Sequence, residues 1–177
     1  MRASYPRINK PRSIPVSALA GALGGLAASW VMNEFQSLWA TVSKEVFNHK
    51  EKKSSGDDAT VKTAKAISQH LLAHRLTEAE KKWTGPAVHY AFGALVGAAY
   101  GVLTEVAPVA QRGYGTAYGA AVWLAADEIA VPAFGLGKPP SKNPPSAHIQ
   151  GLASHLVYGL TTDLTRRAIH RVAIRGK

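Results

Sequence analysis

The 177-residue chain contains no cysteine, which excludes disulfides, thiol nucleophiles and thiolate metal sites. It also lacks a G-x-S-x-G nucleophile motif, a phosphate-binding loop and a dinucleotide-binding fingerprint. Its glycines recur at helical spacing and not in turn-like loops, so a nucleotide site is unsupported. We therefore expect no enzymatic activity and no cofactor.

Acidic residues are scarce: 11 Asp and Glu stand against 21 Lys and Arg, a net charge of +10. The basic residues are unevenly placed, since none occurs in residues 14–43, 83–111, 113–137 or 143–165. Basic residues that flank apolar stretches are typical of proteins that contact anionic lipid headgroups. Nucleic-acid binding would require a basic face or an RNA-binding aromatic motif. The expected partner is a lipid bilayer and not a nucleic acid.

The longest uncharged stretch runs from Trp83 to Thr104, 22 residues if histidine is counted as neutral. As a helix it would be roughly 33 Å long, enough to cross a hydrocarbon core of about 30 Å. Glycines recur in it at every fourth position, which gives one helix face a surface that another helix can approach closely. The same spacing occurs in two other stretches, so the predicted helix-packing residues are Gly21, Gly25, Gly93, Gly97, Gly101, Gly115 and Gly119.

These stretches predict an all-α fold, a four-helix transmembrane bundle with an amphipathic helical segment between spans 1 and 2. Within that segment, Thr77 and Glu80 form a capping box that starts the helix leading into span 2. The preceding helix is predicted from about Ala59 to Leu76. The boundaries in chain order are a basic segment 1–13, span 1 at 14–35, a soluble helical connector at 36–82, span 2 at 83–108, span 3 at 113–137, a Pro-rich connector at 138–145, span 4 at 146–166 and a basic tail at 167–177.

Four spans place both termini on one side of the membrane, and the positive-inside rule assigns their basic residues to the cytoplasm. The soluble connector would then lie outside, although it carries nine basic residues and six acids. A basic start followed by an apolar stretch and small residues also describes a signal peptide, which is the alternative for span 1.

The informative residues are the five acids that lie in or at the ends of spans, because an unpaired carboxylate near the bilayer centre costs about 2.5 to 3.5 kcal/mol. Of these five acids, Asp127 and Glu128 lie furthest from the ends of a span. Adjacent helical positions point about 100° apart, so we expect at most one of the two to face the bundle axis squarely. A structural interpretation pairs Asp163 with Arg166 or Arg167 and Glu105 with Arg112. The candidate proton- or cation-binding residues are Asp127, Glu128, Glu34, Glu105, Asp163, His155 and His89.

Histidines near carboxylates could also bind a metal, yet the Glu-x-x-His pairs of di-iron bundles are absent. His148 and His155 are seven residues apart and should share one helix face, where hydrogen bonding within the bundle is the favoured interpretation. His70 and His74 lack the glutamate of a zinc-protease motif and are expected on a solvated face. We therefore predict no metal site.

Three segments, HYAFGALVGAAYGVLTE, GTAYGAAVWLAADEIAVPAFGL and HLVYGLTTDLTRR, together with the Pro-rich connector, resemble the YagU-like family of bacterial inner-membrane proteins. The resemblance covers roughly residues 85–167. It implies a multi-pass inner-membrane location and a link to survival in acid, without an established reaction or catalytic residues.

The favoured hypothesis is a small polytopic inner-membrane protein whose interior acids bind protons or cations under acid stress. The alternative is a non-catalytic accessory or scaffold subunit whose glycine faces dock on a second copy or on a larger membrane complex. A third possibility is a soluble helical bundle with a carboxylate metal site.

Overall fold

The computed structural model describes residues 14–47 and 59–175, and every regular element within these ranges is helical. The predicted basic segment 1–13, residues 48–58 of the predicted connector and the last two residues of the predicted basic tail lie outside the described residues.

Four long helical rods and one shorter helix make up the described fold. The third rod, residues 116–133, is continuous but contains a π-helical segment, and we call it the 116–133 helix. The elements are α1 (Ile14–Phe47), α2 (Ala59–Leu72), α3 (Glu78–Val106), a 3-10 segment (Pro108–Gly115), α4 (Thr116–Trp123), the π-helical segment (Leu124–Ala130), α5 (Val131–Ala133), a 3-10 turn (Pro140–Lys142) and α6 (Pro145–Arg175).

Helices α1 and α3 run antiparallel with their main chains in direct contact. A Cβ atom added at Gly21 would overlap the carbonyl oxygen of Gly97, and one added at Gly25 would overlap that of Gly93. Gly101 lies in the same way against the carbonyl oxygen of Ser17. No residue larger than glycine fits these positions without separating the two helices.

A second antiparallel pair is formed by the 116–133 helix and α6. Gly115 faces Gly159 and Gly119 faces the carbonyl oxygen of His155, again at distances that leave no room for a Cβ. The two pairs meet at Gly24 of α1 and Thr162 of α6. A Cβ atom added at Gly24 would lie 2.7 Å from the carbonyl oxygen of Thr162. The order of packing is therefore α3, α1, α6 and the 116–133 helix, with α2 lying against α3.

The interior of this fold is built from small and polar residues, while the large apolar side chains point outward. Leu19, Leu95 and Phe134 are 63, 71 and 78% exposed. The buried apolar cluster comprises only Ala28, Met32 and Tyr158, with Val96 packed against it. In a water-soluble domain the large aliphatic and aromatic side chains would be the ones to leave the solvent. The outer surface is therefore suited to an apolar surrounding.

Two helices within the described ranges are long and apolar enough to cross a membrane, Ile14–Lys44 and Glu78–Val106. They correspond to predicted spans 1 and 2. The third predicted span contains the π-helical segment, with Asp127 and Glu128 in it, and α6 buries Asp163 and Arg166. The four-span transmembrane bundle thus stays a prediction for spans 3 and 4.

Helix α2 ends at Leu72, earlier than the predicted Leu76, because Ala73 adopts a left-handed conformation with φ of 50°. The predicted capping box that follows is confirmed. Thr77 Oγ1 accepts the Glu80 amide at 3.3 Å, and the Glu80 carboxylate accepts the Thr77 amide at 2.7 Å. Helix α3 accordingly begins at Glu78.

We expect Gly97→Leu to lower the free energy of unfolding. Overpacking typically costs about 1–3 kcal/mol. The cost here should lie at the upper end of that range, because the overlapping atoms belong to the main chain of α1. Thermal unfolding in detergent measures the change. Ala91→Leu is the matched control, since Ala91 lies on the exposed face of the same helix. Equal loss of Tm in both variants would show that the α1–α3 contact does not limit stability.

The capping box also predicts a pH dependence. Two hydrogen bonds from Thr77 lower the pKa of Glu80 from 4.5 to about 2. The larger effect comes from the Thr77 amide and the smaller one from its hydroxyl. Because the pKa is lower in the folded state, this stabilisation is fully present above about pH 4.5 and is lost as the pH falls towards about 2. The difference in Tm between wild type and Glu80→Gln should shrink over that interval, and a constant difference would contradict the assignment.

Candidate functional site

The predicted site residues in the interior fall into two layers along the bundle. Glu105 and Asp163 lie near the start of α1 in what we call the basic-end layer, whereas Asp127 and His155 lie in a cavity layer further along α6. His155 precedes Asp163 by eight residues, so the two layers are about 12 Å apart along that helix.

Asp163 is the centre of the basic-end layer and is fully buried. It accepts a hydrogen bond of 2.7 Å from Arg166 Nη2 and one of 2.6 Å from Arg167 Nε, so both predicted ion pairs are present. Arg166 is itself only 1% exposed and lies over the ring of Tyr100, 5.7 Å from its centroid. A carboxylate and two guanidinium groups are therefore held together inside the bundle.

The loop that joins α3 to the 116–133 helix closes this layer. Arg167 lies 5.2 Å from the ring centroid of Tyr114 and donates to Gln111 at 3.4 Å. Glu105 does not pair with Arg112, contrary to the structural interpretation given above. Its carboxylate accepts a 2.8 Å hydrogen bond from Ser17 on α1, while Arg112 is exposed.

The cavity layer places both acids of the 116–133 helix towards α6. Asp127 Oδ2 lies 3.7 Å from His155 Nδ1, and Glu128 Oε1 lies 2.8 Å from His148 Nδ1. The expectation that at most one of the two acids faces the bundle axis squarely stays a prediction, since both contact α6 but the Asp127 side chain is 45% exposed and that of Glu128 is 16% exposed. The π-helical segment at Leu124–Ala130 puts more residues into each turn, so neighbouring side chains diverge by less than in an α-helix.

A cavity of about 970 Å³ lies between α3 and the 116–133 helix and extends to α1, α2 and α6. Its walls are mainly apolar, and its polar contributors include Asn33 of α1, His89 of α3, Asp127 and His155. Leu95 and Phe134, both largely exposed, lie at its rim. The cavity is therefore lateral: it opens on the same apolar outer surface as the exposed leucines.

Two tyrosines that the sequence interpretation did not single out fix α3 beside this cavity. Tyr158 donates a 2.6 Å hydrogen bond to the carbonyl oxygen of Gly93, and Tyr118 donates one of 2.9 Å to that of Val96. Tyr158 follows His155 by three residues and so shares its helix face, a spacing that could have indicated its place. Nothing in the local sequence around Tyr118 distinguishes it.

The remaining candidates divide between interior and surface. His89 lines the cavity and packs edge-on against the ring of Tyr90, with 5.8 Å between the centroids. Glu34 is exposed on α1 and belongs to neither layer. His74, exposed as expected, contacts Glu80 at 3.1 Å. Within the described ranges, no group of three or more His, Asp or Glu side chains is arranged to hold a metal ion.

Comparison with known protein families identifies a match over the central part of the chain. The family described as Protein of unknown function (DUF1440) matches residues 63–164, more than half of the chain. This range contains α3, the 116–133 helix and the acid–histidine pairs. Neither a curated protein nor a solved structure matches the chain.

Asp163→Asn is expected to lower the free energy of unfolding by about 3–5 kcal/mol, because it leaves the buried Arg166 guanidinium without a counter-charge. Arg167→Gln should cost less, since Arg167 keeps 32% of its side-chain surface exposed. Chemical unfolding in detergent measures both values. If the two substitutions cost the same, Asp163 does not act through the buried pair.

Proposed function

Since the chain belongs to the family described as Protein of unknown function (DUF1440), its activity must be inferred from its geometry, and we propose that it is a four-span membrane protein that binds and transfers protons through the acid–histidine pairs between the 116–133 helix and α6. The observation that carries the proposal is the pairing of Asp127 with His155 and of Glu128 with His148 across two facing helices. It is a non-enzymatic function.

The inverted distribution of polar and apolar side chains supports placing the bundle in lipid. Charged and hydroxyl-bearing side chains such as Asp163, Arg166 and Ser29 are buried, whereas leucines cover the outside. Lipid offers no hydrophobic force to drive helices together, and close packing through small residues with interhelical hydrogen bonds is the usual substitute. The two glycine-packed helix pairs follow this pattern.

The two layers support proton transfer rather than a purely structural role for the acids. Carboxylates and imidazoles change their charge over the accessible pH range, and ionisable residues inside a membrane domain mark proton pathways. Helix α6 carries His155 in the cavity layer and Asp163 in the basic-end layer, so one helix presents titratable groups at two depths. His89, on α3, faces the same cavity as His155.

The proposal includes a bacterial inner-membrane location with both termini in the cytoplasm. Arg112 lies in the Pro108–Gly115 segment and Arg167 donates to Gln111 of that segment, so basic residues lie at the end of the bundle where α1 begins, which agrees with the positive-inside rule. The resemblance to the YagU-like family, and its link with survival in acid, agree with a protein that handles protons.

The alternative, an accessory subunit that docks through its glycine faces, is less well supported. Gly21, Gly25, Gly93 and Gly97 already contact one another between α1 and α3, so a second copy or a partner complex would have to use another surface.

Reconstitution into liposomes tests the proposal. With a potassium diffusion potential as driving force, wild type should acidify the lumen, reported by a trapped pH-sensitive dye, faster than protein-free liposomes do. The double variant Asp127→Asn/Glu128→Gln should fall to the protein-free rate, because amides cannot exchange the proton. Glu34→Gln removes a carboxylate that lies outside both layers and should leave the rate unchanged. Equal rates for wild type and the double variant would refute the proposal.

A further inference from the structure

Among the residues that the structure describes, the lateral cavity is lined by one formally charged side chain, that of Asp127, and by no lysine or arginine. Its remaining polar groups are neutral or imidazole side chains. Its volume of about 970 Å³ is far more than a proton or a hydrated metal ion needs and falls within the range of small-molecule sites, about 300–1,000 Å³.

The Asp127 carboxylate is exposed to the cavity and accepts no hydrogen bond from a described side chain. Its nearest partner, His155 Nδ1, is 3.7 Å away and is directed at the carbonyl oxygen of Gly151, at 2.9 Å. The neighbouring Glu128 differs, because His148 engages it directly at 2.8 Å. Asp127 therefore keeps acceptor capacity for a ligand, in an apolar setting where a positive charge would be strongly preferred.

The access route restricts the ligand further. The rim of the cavity carries Phe92, Leu95 and Phe134, all exposed on the apolar outer surface of the bundle. A small hydrophilic cation would have to shed its hydration shell to pass them, whereas a cation embedded in apolar groups would not.

We propose that the lateral cavity binds a lipophilic organic cation, whose apolar groups contact the cavity walls and whose charge is neutralised by Asp127. Aromatic side chains at the rim, Phe92 among them, add favourable contacts to a cation. This inference rests on the membrane placement proposed above but not on proton transfer. Proton transfer does not require a ligand in the cavity, whereas this inference assigns the cavity a class of ligand.

Binding of tetraphenylphosphonium to the purified protein in phosphatidylcholine nanodiscs tests the inference. The zwitterionic lipid removes attraction by anionic headgroups, and empty nanodiscs give the background of partitioning. Wild type should show saturable binding above that background. Tetraphenylborate, an anion of nearly the same size and shape, should show none.

Two substitutions locate the site. Asp127→Asn should weaken tetraphenylphosphonium binding at least about tenfold, because it removes the one formal negative charge that the described residues contribute to the cavity lining. Glu34→Gln removes the same charge from the exposed face of α1 and should leave binding unchanged. Ala99→Leu, at an exposed position in the cavity lining, should weaken binding by filling space, while it leaves every titratable group in place.

Saturable binding that persists in both Asp127→Asn and Ala99→Leu would overturn the inference, as would equal binding of tetraphenylborate or the absence of saturable binding by wild type. The liposome assay keeps the two proposals separate. Proton flux without cation binding leaves proton transfer standing and removes the ligand class, and cation binding without flux does the reverse.

Discussion

Direct contact between helix main chains is the constraint on which the rest of this structure depends. At Gly21, Gly25, Gly97 and Gly101 the α1 and α3 backbones approach so closely that a Cβ would overlap a carbonyl oxygen, and Gly115, Gly119 and Gly159 hold the second helix pair in the same way. Such contact leaves no interior space for large apolar side chains. Many leucines and phenylalanines of the helices are consequently exposed, among them Leu19, Leu95 and Phe92, and the buried positions include serine, threonine, tyrosine and charged groups.

The polar groups of this interior find their partners in different ways in the two layers. In the basic-end layer the charges are paired tightly: Asp163 contacts both Arg166 and Arg167, and Glu105 is bound by Ser17. The Ser17–Glu105 hydrogen bond joins α1 to α3, and Arg166 over the ring of Tyr100 joins α6 to α3. In the cavity layer the helices separate, and Asp127 lies beside an open volume with only a long contact to His155. The first layer is suited to stability and the second to binding.

The π-helical segment directs both acids of the 116–133 helix towards α6. It allows Asp127 and Glu128, adjacent in the chain, to face the same helix, one towards His155 and the other towards His148. Single π-helical turns are rare and occur frequently at functional sites, and this one coincides with the acid pair. Proton exchange and cation binding would both use this position.

The sequence by itself determined the helical class, the capping box at Thr77 and Glu80, and the pairing of Asp163 with the arginines that follow it, because each depends on residues within one or two helical turns. It also identified the glycine faces by their spacing. Only the tertiary structure decided which faces meet, that Glu105 is bound by Ser17 and not by Arg112, and that Tyr118 and Tyr158 support α3. The lateral cavity and the shared orientation of Asp127 and Glu128 depend on contacts between helices distant in the chain and on a π turn, neither of which helical periodicity encodes.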